Sequence, residues 1–86
     1  MPTICAFFGI YIRMYYDDHS PPHFHAYYGG EMVLIEIETL RVISGDLNSR
    51  ALTMVKEWAK IHRDALEDDW RLAGNHEPLM KIKPLE

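Results

Sequence analysis

Cysteine is nearly absent. The 86-residue chain has one, Cys5, so no intramolecular disulfide framework can form, and a reducing compartment, the cytoplasm, is expected. Long apolar runs are missing as well. The opening stretch from Ile4 to Ile12 falls well short of the ~20 residues needed to cross a bilayer. It also lacks a basic leader and a small-residue cleavage site, so neither membrane insertion nor export is expected. Positive charge is scarce, with nine Lys and Arg against thirteen Asp and Glu, a net of −4 with neutral histidines. Phosphate neutralisation supplies most of the affinity of proteins that grip nucleic acid, so this balance counts against a simple DNA- or RNA-binding module. It leaves room for an enzyme that touches a few nucleotides. There is no phosphate-cradling glycine loop, nucleophile elbow or zinc-finger spacing, and no internal repeat.

What is present describes one α+β domain over residues 1–86, with 48% apolar residues and an ordinary share of charge. So small a chain with Phe7, Phe8, five tyrosines, Trp58 and Trp70 has apolar surface to spare for a partner. Strands are expected roughly between residues 10 and 44. The first is Ile10–Tyr16, broken by Asp17-Asp18-His19-Ser20-Pro21-Pro22, because prolines cannot donate to a ladder. His23–Tyr28, Gly29-Gly30 and Glu31–Glu38 read as a hairpin whose central glycines both take positive φ. That register pairs Tyr28 with Glu31, Ala26 with Val33, Phe24 with Ile35 and His23 with Glu36. A short strand, Arg41–Ser44, ends at Gly45-Asp46. From Asn48 or Ser49 as cap, the spacing of Leu52, Val55, Ala59, His62, Leu66, Trp70 and Ala73 predicts one long amphipathic helix to about residue 73, stopped by Gly74-Asn75. The expected architecture is a small antiparallel sheet of three to five strands packed against that helix. At about 1.5 Å per residue its second half would overhang the sheet. The tail, residues 76–86, reads as an edge strand or a partner-binding segment. Cys5, Trp58 and Trp70 are expected in the core, His62 as a buried histidine on the apolar stripe, and His76 in solvent.

The chemically distinctive stretch is Asp17-Asp18-His19-Ser20-Pro21-Pro22-His23-Phe24-His25. His23 and His25, two apart on a strand, present their rings on one face about 7 Å apart at Cα. His19 on the proline-stiffened loop is placed to supply a third group, and Asp17, Asp18 and, across the hairpin, Glu36 offer carboxylates. His19, His23, His25 and Glu36 are therefore the candidate ligands for a divalent transition metal such as zinc, iron, nickel or manganese. The metal-free alternative makes His23 and His25 a general acid and base, with His19 as third member and Arg13 or Tyr27 steadying an anion. The plain alternative is that these histidines cap turns and brace the loop.

Several segments together resemble one family. Pro2-Thr3-Ile4, Phe7-Phe8-Gly9-Ile10, Ile12-Arg13-Met14-Tyr15-Tyr16-Asp17-Asp18-His19 and Pro21-Pro22-His23-Phe24-His25-Ala26-Tyr27-Tyr28-Gly29 are similar to the bacterial domain-of-unknown-function 4160 family. So are Ala51-Leu52, Glu57-Trp58-Ala59, His62-Arg63, Trp70 and Ile82-Lys83-Pro84-Leu85. Cys5-Ala6 departs from the pattern, standing where a polar or basic pair is expected. The resemblance implies a gene arrangement like a type II toxin–antitoxin module, in which this chain looks like the toxin-side component and its partner is a small cognate protein encoded next to it. By analogy with such toxins, a ribonuclease acting through His19, His23 and His25 is expected, with RNA as substrate. The rival expectations are a non-catalytic interaction module and a small metal-dependent enzyme. A homodimer is a further expected assembly.

Overall fold

Phe8 and Gly9 both take positive φ, 50° and 80°, as a two-residue hairpin turn requires, and they join β1 (Thr3–Phe7) to β2 (Ile10–Arg13). The next hairpin joins β3 (His23–Tyr28) to β4 (Glu31–Glu36). There only Gly29 is left-handed (φ 60°), which suits a type II′ turn rather than the both-positive turn expected from the glycine pair. Residues 14–22 link β2 to β3, and residues 37–41 link β4 to β5 (Val42–Asp46). In this computed structural model, which describes residues 2–86, the strands form one antiparallel five-stranded sheet in the order β1-β2-β3-β4-β5. The hairpin register is the one the turn dictates: Tyr28 faces Glu31, Ala26 faces Val33, Phe24 faces Ile35 and His23 faces Glu36.

Two strand boundaries differ from expectation. β1 lies ahead of the first strand read from the sequence, where a continuous apolar run hides the alternation of a half-buried strand. β2 ends at Arg13, so Met14, Tyr15 and Tyr16 belong to the link, and Met14 N bonds to Pro2 O instead (3.3 Å).

One face of the sheet carries Ile10, Ile12, Phe24, Ala26, Val33 and Ile35, all fully buried. Trp58 fills the space above it, 5.6 Å from the Phe7 ring and edge-on to Phe24 at 5.9 Å. The single long helix expected over residues 48–73 is instead two, α1 (Ser49–Ile61) and α2 (Arg63–Gly74), separated at His62 (φ −111°, ψ 26°). Neither proline nor glycine marks the break. The buried stripe of Ala51, Val55, Trp58 and Ala59 continues as Leu66, Asp69 and Ala73 at helical spacing, so periodicity reads straight through it. A straight rod would run past so small a sheet. The bend instead lets Arg63 Nε donate to Ile37 O (3.2 Å) and brings Trp70 against His23, with ring centroids 5.3 Å apart. His62, at the joint, is half-buried against Trp58 (5.6 Å) rather than enclosed in the stripe.

The tail is neither a strand nor a free segment. It straps down beside β1: Ile82 N donates to Ile4 O (2.8 Å), and the Trp58 indole Nε1 donates to Lys83 O (2.8 Å). Met80 N donates to the buried carboxylate of Asp69 (2.8 Å). Cys5 is buried, and that burial pushes its thiol above the usual value, as befits a structural side chain. No helix among the described residues is long and apolar enough to cross a membrane.

Candidate metal centre

The outer face of the sheet, opposite α1, carries Arg13, His25 and Leu34 in one cross-strand row, with His23 and Glu36 in the next. The link from β2 to β3 folds over the histidine end of that face. It reverses at Asp17, whose φ of 58° is a conformation aspartate tolerates better than most residues. As a result the Asp18 side chain meets the strand while His19 is exposed. Asp18 Oδ2 lies 3.0 Å from His23 Nε2 and 3.3 Å from His25 Nε2. Its other oxygen, Oδ1, accepts from the His19 main-chain N–H (2.9 Å). Among the described residues, Asp18, His23 and His25 form the one group of three His, Cys, Asp or Glu side chains whose ligand atoms all lie within 4.8 Å of one another.

Proton positions follow from the partners. His23 Nδ1 lies 2.8 Å from Pro21 O, and a carbonyl can only accept, so Nδ1 carries a proton. His23 Nε2 then turns a lone pair toward the Asp18 carboxylate unless something positive lies between them. That something is a second proton on the ring or a cation. His23 is only 5% exposed, roofed by Trp70. His25 packs edge-on against Tyr15 (4.5 Å), and its Nδ1 is buried with no protein partner.

The electrostatics favour an ionised Asp18 and disfavour the charged form of His25. Burial works to raise Asp18, but the His19 N–H, the His25 hydrogen bond and the charges of both imidazoles outweigh it and hold the carboxyl below its usual value. Burial lowers His25; the Asp18 hydrogen bond opposes that shift, and repulsion from His23 adds to it. Alongside, Tyr15 and Tyr27 share a short hydroxyl–hydroxyl hydrogen bond, and burial followed by that bond pushes the Tyr27 phenol up to about 12. The Arg13 guanidinium sits 4.9 Å from the Tyr27 ring centroid, and its Nε donates to Thr3 Oγ1 (3.2 Å).

A cleft of about 130 Å³, lined by Tyr15, Asp18, Ser20, Trp70, Ala73 and Gly74, opens between this link and the C-terminal end of α2. It reaches the cluster at Asp18. Trp70, expected in the core from its place on the apolar stripe, is thus shared between cleft and cluster.

The structure therefore joins His23 and His25 with Asp18. His19, expected as the third group, points its ring elsewhere and contributes only its main-chain N–H. Glu36 is placed across from His23, but its carboxylate accepts from Thr39 Oγ1 (2.7 Å) and faces Arg41 (3.8 Å). Arg13 shares the face and stands opposite His25 in the register, yet its polar partners are Thr3 and Tyr27. His76, expected in solvent, is exposed and lies 3.0 Å from Asp17 Oδ2.

Comparison with family descriptions matches residues 9–71 to Domain of unknown function (DUF4160). The chain belongs to that family. The DUF4160 segment contains Asp18, His23, His25 and Trp70, and leaves β1 and the C-terminal strap largely outside it. Neither the curated proteins nor the solved structures gave a match.

Proposed function

We propose that this protein binds one divalent transition-metal ion through Asp18 Oδ2, His23 Nε2 and His25 Nε2, and that the site is hydrolytic. The observation that carries the reading is the convergence of two imidazole nitrogens on a single carboxylate oxygen at 3.0 and 3.3 Å. Neighbouring ligand atoms around a tetrahedral zinc, each at ~2.0–2.1 Å, stand about 3.4 Å apart, so small shifts admit an ion. The Pro21 carbonyl holds the His23 ring with Nε2 directed inward, the outer support that metal-ligating histidines ordinarily have. Three protein ligands would leave a position for water or substrate, as in catalytic rather than structural sites, and the cleft reaches the cluster at Asp18. When bound, such an ion would supply Lewis-acid chemistry toward a water or a phosphoryl oxygen. In the metal-free alternative the two imidazoles would flank a phosphate, but Asp18 occupies the place between them, and its negative charge opposes an anion there.

The wider role we propose is that of the toxin-like component of a two-gene module. Its substrate would be RNA, cleaved at a phosphodiester, with a small cognate protein as its antitoxin. The family resemblance supports this role, and the cluster supplies a chemistry for it. Two measurements test the two levels separately. Titration of the untagged chain with zinc, nickel or manganese should give one equivalent bound, reduced at least tenfold in affinity by Asp18→Asn. Less than about a tenth of an equivalent would remove the metal. Induced expression should arrest growth, and His23→Ala with His25→Ala should relieve the arrest with the fold intact. Arrest by the folded double variant would remove the catalytic role.

A further inference from the structure

The two edges of the sheet are finished differently. Along β1 the C-terminal strap takes up main-chain capacity through Ile82 and Ile4, with Ile82 itself buried. β5 pairs only with β4, and Ile43, Ser44, Gly45 and Asp46 are all exposed, Ile43 by 42%. Neither lysine nor proline guards this edge, although such residues are common devices against pairing with another chain. Its register is irregular: Ile35 faces Val42, but Leu34 faces Ser44, so Ile43 is an extra residue.

That extra residue has an electrostatic effect. Arg41, before the bulge, lies beside Glu36 on the outer face (3.8 Å). Asp46, after it, stands opposite Met32 on the same face, where regular alternation would have put the two on opposite faces. One short exposed edge thus carries a cation at one end and an anion at the other, both displayed on the same side.

We propose that β5 pairs antiparallel with β5 of a second copy of this chain. Two-fold symmetry sets the Arg41 end of each strand beside the Asp46 end of the other, making two opposite-charge contacts, and brings the Ile43 side chains together near the axis. Parallel pairing would put like charges side by side. Both sheets keep α1 on the same side, so the two histidine clusters lie on the common outer face of a ten-stranded sheet. Gly45 (φ 84°) admits no side chain, since a Cβ would come within 2.3 Å of Met32 O, so Arg41, Ile43 and Asp46 carry the specificity. A strand this short makes a small contact, and the dimer is expected to dissociate in the micromolar range or above.

Sedimentation equilibrium on the full chain, from about 10 µM to about 1 mM, tests this. Wild type should pass from monomer to dimer, more weakly at high salt. Arg41→Glu and Asp46→Arg should each weaken the association at least tenfold, and the double swap should restore it, with circular dichroism confirming the fold of all three. Asp18→Asn, remote from the edge, should associate as wild type does. A chain monomeric throughout overturns the proposal, as does a double swap that restores nothing. So does a different protein that captures β5 while this chain alone stays monomeric.

Discussion

A carboxylate lodged among uncharged groups needs either a proton or a full set of donors, and the chain contains both solutions. Asp18 has close partners, the His19 main-chain N–H and the Nε2 atoms of His23 and His25, and its carboxyl is held below its usual value. Asp69 has no such set. It is 1% exposed, accepts one bond from Met80 N and leaves Oδ2 without a partner. Burial raises its carboxyl, the Met80 N–H pulls it back, and the neighbouring Asp68 charge raises it again. Between the unfolded value and the raised folded one, the folded state holds this proton where the unfolded chain has released it. Its contribution to stability is complete below the unfolded value, ~3.9, and is lost as pH rises through the folded value. Asp69→Asn keeps the acceptor for Met80 and removes the ionisation. It should melt a few degrees higher at pH 7, on the order of 1 kcal/mol, with the advantage gone near pH 3.5. Thermal scans of both proteins across that range decide it, and equal melting temperatures at pH 7 would refute it. Asp69 gave no sequence signal, because a lone acid on an apolar stripe reads as a solvated interruption. Asp18 was visible among the carboxylates beside the histidines. Its selection over His19 was not, because the reversal at Asp17 decides which neighbouring side chain turns inward.

At the scale of elements, what was legible had chemical punctuation. The hairpin register came from two glycines between strand-like runs, and the helix start came from an Asn-Ser pair. Asn48 caps α1, with Oδ1 accepting from Arg50 N (3.0 Å) and Ala51 N (3.1 Å), while its own N–H donates to Glu31 Oε1 (2.6 Å). Replacing Asn48 by Ala should cost about 1 kcal/mol, seen as a lower urea midpoint with an unchanged slope, and Asn48→Asp should recover most of it. A loss below a few tenths of a kcal/mol would mean that other contacts hold this end. The break at His62 carried no such mark. Its cause is tertiary: Arg63 reaches Ile37 O, Trp70 reaches His23, and the helix bends to let both happen. The helix beyond that break supplies Trp70, the indole that covers His23 in the candidate centre.

For the molecule as a whole, the unequal treatment of the two sheet edges makes the strap a structural necessity, although its sequence reads as an edge strand or a partner-binding segment. Without residues 79–86 the β1 edge loses the Ile82–Ile4 bond, the Trp58 indole loses its acceptor at Lys83, and the Asp69 carboxylate loses Met80 N. Three buried polar groups are stranded together, and the apolar cover from Ile82 and Leu85 goes with them. Each stranded group costs about 1–3 kcal/mol, and a domain this small has only about 5–15 kcal/mol in total. The truncated chain should therefore be unfolded or aggregated at 25 °C, with Trp emission shifted to the red. A milder variant separates the strap's apolar contribution from its hydrogen bonds. Ile82→Ala retains every main-chain bond and should fold, with a loss of about 2–4 kcal/mol in urea unfolding. If the truncated chain melts cooperatively within a few degrees of wild type, the strap is an ornament and β1 tolerates a bare edge just as β5 does.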